Sequence, residues 1–170
     1  IPISHVESGL RSNDWRMPEE HNRIAIDHLS EFLFTPTNNT KFNLISEKVH
    51  GKISVTGNTV IDAINIYSKI SKKKSKLSIP YSDFILLTLH RSENVDNKKI
   101  LSSIIKGLIN SNENIIFPIH PRTKKRLYKF GLYEKLSQNK NIQILDSVGY
   151  FDILELMKNC IFIVTDSGGI

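Results

Sequence analysis

Seven apolar runs of four to six residues recur along the chain, and most neighbouring runs are separated by a helix-length segment. They are "IPISHV" (1–6), "EFLF" (31–34), "KISV" (52–55), "FILLTL" (84–89), "IIFPI" (115–119), "IQIL" (142–145) and "IFIVT" (161–165). Runs this short and this rich in Ile, Val and Phe have the length and composition of strands. The segments between them space apolar residues by three and four, the repeat of a helix with one buried face. Pro18 opens the first helix, where its missing N–H costs nothing, and Glu19 and Glu20 stand in the first turn, at the positive end of the helix dipole. That helix is predicted to run to about Ser30. Thr37 or Asn38 caps the second, the third spans about Asn58 to Ile70, and later helices fall near 97–110, 122–138 and 150–159. Strands joined through helices pair in parallel, and parallel sheets are covered on both faces. The expected class is therefore α/β with parallel sheets.

The pattern breaks at "SKKKSKLSIPYS" (71–82), which is polar and basic, contains Pro80 and lacks helical periodicity. It predicts an interdomain linker. Residues 1–70 then form the C-terminal part of one domain, and 83–170 the N-terminal part of a second. The start at Ile1 and the stop on "SGGI" are expected to be cuts through a longer protein.

A composition of 39% hydrophobic and 24% charged residues is that of a globular chain and not a disordered one. No run approaches the roughly 18 apolar residues of a membrane span, and there is no signal-peptide pattern. Cys160, the single cysteine, lies in an apolar context and reads as a buried thiol. A cytoplasmic setting is expected. The net charge of +6 comes largely from "KISKKKSK" (69–76) and "RTKKRLYK" (122–129). Such an excess suits nucleic acid, anionic lipid or phosphorylated small molecules. No aromatic-interleaved RNA-binding pattern or DNA-reading helix pair accompanies it, so a basic linker and a solvated helix face are preferred. The reading of a different class, a non-catalytic nucleic-acid-binding module, would show steep salt dependence. The acids near the start of the chain weigh against it. Neither a nucleic-acid nor a membrane partner is expected.

In open parallel sheets ligands bind beyond the carboxyl ends of the strands. The first strand ends in His5, Glu7, Ser8 and Gly9, and the fourth in His90, Arg91, Ser92, Glu93 and Asn94. The fifth ends in His120, Pro121 and Arg122, and the seventh in Asp166, Ser167, Gly168 and Gly169. Polar ends in both blocks predict a cleft shared by two domains. In "TDSGGI", glycines admit close approach of backbone amides to an anion, a following helix N-terminus adds positive charge, and the serine hydroxyl can donate. Ser-Gly-Gly is also an ordinary tight turn. His90 beside Arg91 suits a diphosphate, the alternative being a half-buried histidine bonded to a loop carbonyl. His120 with Arg122 reads the same way, while His21, His28 and His50 read as structural or solvated. With neither HExxH nor CxxC present, no metal site is expected.

The densest cluster is "HVESGLRSNDWRMPEEHNR" (5–23). Glu19 and Arg23 stand four apart and share a helix face, as a surface ion pair would. Glu7 ends a strand, and the loop 8–18 must return to that helix, which predicts Glu7, Glu19 and Arg23 at one edge of the sheet. Grouped carboxylates raise one another's pKa and an arginine lowers it, so one site can hold a proton donor and an acceptor near neutral pH.

The segments "HVESGLRS", "MPEEHNRIAIDHLS", "VTGNTVIDA", "LHRSENVD", "FPIHPRT" and "VTDSGGI" resemble the non-hydrolysing UDP-N-acetylglucosamine 2-epimerases. They occur in that family's order and cover essentially the whole chain. Ser8 stands where the family usually has Ala. The resemblance implies two Rossmann-like parallel-sheet domains of GT-B type, both incomplete here. It implies interconversion of UDP-GlcNAc and UDP-ManNAc without a cofactor, in polysaccharide biosynthesis. The C1–O bond to UDP breaks, the C2 proton leaves to give 2-acetamidoglucal, and UDP adds back with a proton returned to the opposite face of C2. By match, Glu7 and Glu19 are the acid/base pair, Arg23 orients the sugar or the carboxylates, and His90 contacts the diphosphate or assists its departure. Ser167, Gly168 and Gly169 cradle the phosphates. Arg91, Glu93 and His120 line the cleft, where some bacterial members bind a second UDP-GlcNAc as activator. Tyr150 and Ile153 form the base platform, where members often place Phe. The full-length protein is expected to be a homodimer. A further family aspartate and a UDP-contacting arginine are expected before Ile1, and Gln-Glu-Glu after "DSGGI", so the 170-residue piece alone is expected to be inactive. The nearer alternatives are a hydrolysing 2-epimerase and another GT-B UDP-sugar glycosyltransferase; the latter would need an acceptor pocket.

Overall fold

Strand–helix alternation produces two sheets, each wholly parallel. The computed structural model describes residues 1–146 and 148–168, and packing groups the chain into two compact units, Ile1–Asn65 and Ile66–Ile170.

The first unit holds β1 (Ser4–Val6), α1 (Pro18–Leu29), β2 (Phe32–Thr35), α2 (Asn38–Ser46) and β3 (Lys52–Val55), with strand order β1-β2-β3. Only the central strand is deeply covered: Leu33 and Thr35 of β2 are buried, with Leu44 of α2. Pro18 opens α1 as predicted. Of the two candidate caps, Thr37 is the one used. Its Oγ1 accepts from the Thr40 N–H (3.2 Å), while Thr40 Oγ1 accepts from the Thr37 N–H (3.1 Å). This reciprocal pair satisfies two otherwise orphaned donors.

Helix α3 (Thr59–Lys74) crosses from one unit into the other, which part between Asn65 and Ile66. It runs four residues beyond the predicted end at Ile70. Periodicity could not reveal this, because a tertiary bond holds the last turn. Ser71 is buried and its hydroxyl donates to Glu155, and Lys72, Lys73 and Lys74 sit at the negative end of the dipole.

The second unit holds β4 (Ile85–Thr88), α4 (Ser92–Val95), α5 (Lys98–Asn110), β5 (Ile115–Pro118), α6 (Pro121–Lys129), α7 (Tyr133–Ser137), β6 (Ile142–Leu145), α8 (Tyr150–Asn159) and β7 (Phe162–Thr165). Its strand order is β6-β5-β4-β7. The chain steps outward from β4 to β6, then returns to pair β7 on the other flank of β4, which creates a topological switch between β4 and β7. Ile85, Leu86 and Leu87 are buried in succession, as are Ile115, Ile116 and Phe117. That is the pattern of strands covered on both faces. Alternate residues serve different cores: Ile85, Leu87 and Phe117 pack with Leu101, Ile105 and Leu127, whereas Leu86 and Ile116 pack with Phe84 and Leu156.

The single helix predicted over 122–138 is two, α6 and α7. Gly131, at φ +69°, ends the first, and the Leu132 N–H closes back on the Leu127 carbonyl at 2.9 Å. A glycine in this left-handed conformation is a common helix stop. The one-turn α4 was not predicted; four residues are too few to carry a helical period. Among the described residues no helix is long and apolar enough to cross a membrane.

Candidate functional site

In the first unit, Glu7 leaves β1 at φ +68°. A non-glycine residue adopts this left-handed conformation at a cost, and such residues concentrate at functional sites. The side chain is exposed, and its Oε1 accepts from Asn58 Nδ2 at 3.4 Å. The turn behind it is held from below. Ser8 N–H donates to the Phe34 carbonyl at 3.1 Å. Gly9, at φ +79°, lies so close to α2 that an added Cβ would stand 2.2 Å from the Thr40 carbonyl oxygen. Asp27 of α1 is fully buried and accepts from His5 Nδ1 (2.6 Å), Gly9 N–H (3.2 Å) and Arg11 Nη1 (2.8 Å). Arg11 also forks onto both oxygens of Glu47 at 2.7 and 2.5 Å. That bidentate bond is the main cause holding the Glu47 carboxyl below its ordinary range. This ion network, which anchors the loop that carries Glu7, had no signal in the sequence beyond the presence of charges.

The expected pairing of Glu19 with Arg23 is not formed. Arg23 Nη1 lies 3.2 Å from Glu20 Oε2, one turn back. Glu20 is buried at 1% exposure and accepts from the Ser12 N–H (3.0 Å), the Asn13 N–H (2.8 Å) and the Ser12 hydroxyl (2.9 Å). Burial alone pushes the Glu20 carboxyl up, but these bonds and Arg23 outweigh it and hold the group below the ordinary glutamate range. Glu19 is exposed, and its carboxylate makes no hydrogen bond or ion pair among the described residues. Glu7, Glu19 and Arg23 therefore all belong to the first unit, yet none of them bonds another.

In the second unit the structure brings four predicted residues together. His90, His120, Tyr150 and Ile153 line one cavity of about 300 Å³, with Thr88 and Val148. It opens where β4 and β5 end and where α6 and α8 begin, so two helix N-termini and two imidazoles face it. The imidazole rings of His90 and His120 stand 5.6 Å apart. Tyr150 meets Tyr67 and Phe151 edge to face at 5.8 and 5.9 Å. The Thr123 hydroxyl donates to the Leu89 carbonyl and ties α6 to the end of β4. A larger hollow of about 650 Å³ is lined by Lys72, Tyr81, Ser82, Glu155 and Lys158. Its lining comes from the segment before β4 and from the end of α8, at the amino ends of the strands. Ligands of parallel sheets collect at the carboxyl ends, so the smaller cavity is the candidate.

Asp166 joins the ends of β4 and β7. Its carboxylate accepts from the N–H groups of His90 (3.0 Å) and Arg91 (2.8 Å) and from Asn94 Nδ2 (3.1 Å), and its Oδ1 stands 3.1 Å from His90 Nδ1. Burial raises this carboxyl, and those donors more than offset it, leaving its pKa lowered. The acid stood in the motif "VTDSGGI" but was not among the predicted site residues; an acid between a strand and Ser-Gly-Gly was the signal available. Arg91 Nη1 lies 3.6 Å from Glu93 Oε1, at the exposed rim. Ser167 N–H donates to Thr165 Oγ1 at 2.9 Å, and Gly168 is exposed with nothing within 4 Å of a built Cβ. Gly169 lies outside the described residues. No three His, Cys, Asp or Glu side chains among the described residues form a group that could hold a metal ion.

The family description "UDP-N-acetylglucosamine 2-epimerase" matches residues 1–170. The UDP-N-acetylglucosamine 2-epimerase of Methanocaldococcus jannaschii is 48% identical over 181 residues, spanning all of this chain and 50% of the relative. Its crystal structure in complex with UDP-GlcNAc and UDP superposes with a TM-score of 0.91, covering 99% of this chain and 49% of that one. The UDP-GlcNAc 2-epimerase of Neisseria meningitidis, bound to UDP-GlcNAc, gives 0.85 at 34% identity, over 100% of this chain and 49% of that one. A UDP-2,3-diacetamido-2,3-dideoxy-D-glucuronate 2-epimerase of Pseudomonas aeruginosa is 37% identical over 177 residues, which is all of this chain and 48% of the relative. The chain spans about half the length of the curated relatives it matches. Its two parallel-sheet units are Rossmann-like and of the GT-B type. With matched motifs along its whole length, a shared fold and identities of up to 48%, the chain belongs to the UDP-N-acetylglucosamine 2-epimerase family.

Proposed function

We propose that the protein containing this chain inverts C2 of UDP-GlcNAc to give UDP-ManNAc, by eliminating UDP and adding it back to 2-acetamidoglucal. The observation that carries this reading is the cavity at the ends of β4 and β5, lined by His90, His120, Tyr150 and Ile153. A mostly apolar hollow with two imidazoles and two helix N-termini suits a base joined to a diphosphate. In this reading His90 and Arg91 stabilise the departing diphosphate, with Ser167, Gly168 and Gly169 cradling its oxygens. His120 completes the lining, Glu93 stands with Arg91 at the rim, and Tyr150 with Ile153 supports the base. Glu7 and Glu19 exchange the C2 proton, and Arg23 orients the sugar. Glu19, exposed and without a hydrogen bond or ion pair among the described residues, and the exposed Glu7 at positive φ are open to a ligand. The sequence is redox-neutral: a C–H and a C–O bond break and both re-form, so no redox cofactor is required.

In this reading the complete protein acts as a homodimer that takes a second UDP-GlcNAc as activator. The greater identity to a relative named for UDP-GlcNAc (48%) than to one named for a diacetamido glucuronate sugar (37%) favours the former substrate.

The test is incubation of the full-length protein with UDP-GlcNAc in D2O. UDP-ManNAc carrying deuterium at C2, with transient 2-acetamidoglucal and UDP, is the expected result. Free ManNAc would favour a hydrolysing enzyme, and sugar transfer to an added acceptor would favour a glycosyltransferase. The 170-residue chain alone is expected to give no turnover, and measurable epimerisation by it would refute that expectation.

A further inference from the structure

We infer that Asp166 is a positioning residue for His90, fixing the imidazole so that Nε2 faces the diphosphate. The inference rests on the function proposed above and assigns a part to a carboxylate that reading leaves unused.

β4 and β7 are neighbours with Thr88 opposite Thr165, so the residues just beyond them are brought together although 76 positions separate them. The threonine hydroxyls share a hydrogen bond of 2.7 Å at this junction. The Asp166 side chain is 8% exposed, while that of His90 is 41% exposed and lines the cavity. Nδ1 of His90 lies 3.1 Å from Asp166 Oδ1, and the backbone N–H of the same residue is also held by the carboxylate. One acid thus bonds the backbone of His90 and stands beside its ring. A carboxylate this close to Nδ1 limits rotation of the ring and favours the tautomer with its proton on Nδ1. Nε2 is then the nitrogen left to face an oxygen of the leaving diphosphate, where negative charge develops as the C1–O bond breaks. Arg91 N–H and Asn94 Nδ2 complete the same carboxylate, so the turn bearing Arg91 is set by it as well.

A structural staple alone would make the same contacts, and two measurements on the full-length enzyme separate the readings. In the first, Asp166→Asn, His90→Gln and the double variant are compared. If Asp166 acts through His90, Asp166→Asn lowers kcat about 100-fold with a much smaller change in KM, and the double variant loses no more than His90→Gln alone. Multiplying losses, or an unchanged kcat, would overturn the inference. The second needs no variant to fold. Imidazole 15N spectra of the wild-type protein should show His90 Nδ1 protonated and the Nε2 resonance moving at saturating UDP. A proton on Nε2 alone, or a UDP complex in which neither nitrogen moves, would overturn it. An enzyme that binds UDP with these signatures but leaves UDP-GlcNAc unchanged would sink the proposed reaction and not the positioning role. Failure to bind UDP at all would sink both.

Discussion

Arg23 reaches back one helical turn to Glu20, at 3.2 Å, and leaves the neighbouring Glu19 exposed, with no partner among the described residues. Two adjacent glutamates thereby take different tasks. Glu20 holds the loop 11–14 against α1; Glu19 is available to a ligand. Glu20→Gln is expected to destabilise the first unit by about 3 kcal/mol, because a buried charged partner is removed from Arg23 and the loop loses acceptors. Glu19→Gln should leave the melting temperature unchanged and lower kcat of the full-length enzyme about 100-fold. Thermal melts and UDP-GlcNAc turnover on the two variants check both statements, and an exchange of the two effects would refute the assignment.

Gly9 and Gly107 provide opposite outcomes for one substitution. At Gly9 a methyl group meets the Thr40 carbonyl oxygen at 2.2 Å, and φ is +79°. Gly9→Ala should therefore cost more than about 2 kcal/mol and disturb the turn that presents Glu7. Gly107 lies inside α5 with nothing within 4 Å of the new carbon. Gly107→Ala should stabilise by about 0.5–1 kcal/mol. Denaturant midpoints of the two variants are the measurement.

Ser8 carries a buried hydroxyl with no hydrogen-bond partner among the described residues. A polar group stripped of water and left unpaired costs about 1–3 kcal/mol. Ser8→Ala removes the group and leaves its backbone bond to Phe34 intact, so it should raise stability by about 1 kcal/mol without altering UDP affinity. A fall in stability would show that the hydroxyl is satisfied in solution.

Acid should weaken the chain within a defined window. The Glu20 carboxyl is lowered from 4.5, and Asp96 is lowered from 3.8 to about 2, chiefly by its bond to Arg122 and then by Arg126. A carboxyl with a depressed folded-state pKa stabilises above its unfolded value, and that contribution is lost as pH falls through the folded value. Urea midpoints should be level down to about pH 5 and decline between about pH 4.5 and 2. Asp96 lies at the surface, so its share should shrink in high salt. A decline centred near pH 6 would implicate the histidines and contradict this account.

How far the sequence could be read follows from where each contact partner lies. Pro18 and Thr37 marked helix starts because a first turn is built from residues within four positions of its cap. Gly131 carried the break between α6 and α7 in the same local way, although the apolar spacing across it suggested one helix. Of the cavity residues, His90 and His120 were legible as polar groups at strand ends, whereas Tyr150 and Ile153 were legible only through the family resemblance. Asp166 was passed over as a site residue because its partners lie 72 to 76 positions away. The choice between Glu19 and Glu20 was equally hidden, since the loop donors Ser12 and Asn13 become neighbours of α1 only after the chain has turned.

By itself, then, the sequence determined the run of parallel strands and helices, the capped starts and the family to which the motifs point, because period, propensity and chain order are properties of neighbouring residues. The order β6-β5-β4-β7, the grip of Asp166 on His90, and the burial of Glu20 in place of Glu19 were decided only by the tertiary structure. Each depends on which distant segments lie side by side, and that is set by how the sheets and helices jointly remove apolar surface from water while every buried charge finds donors.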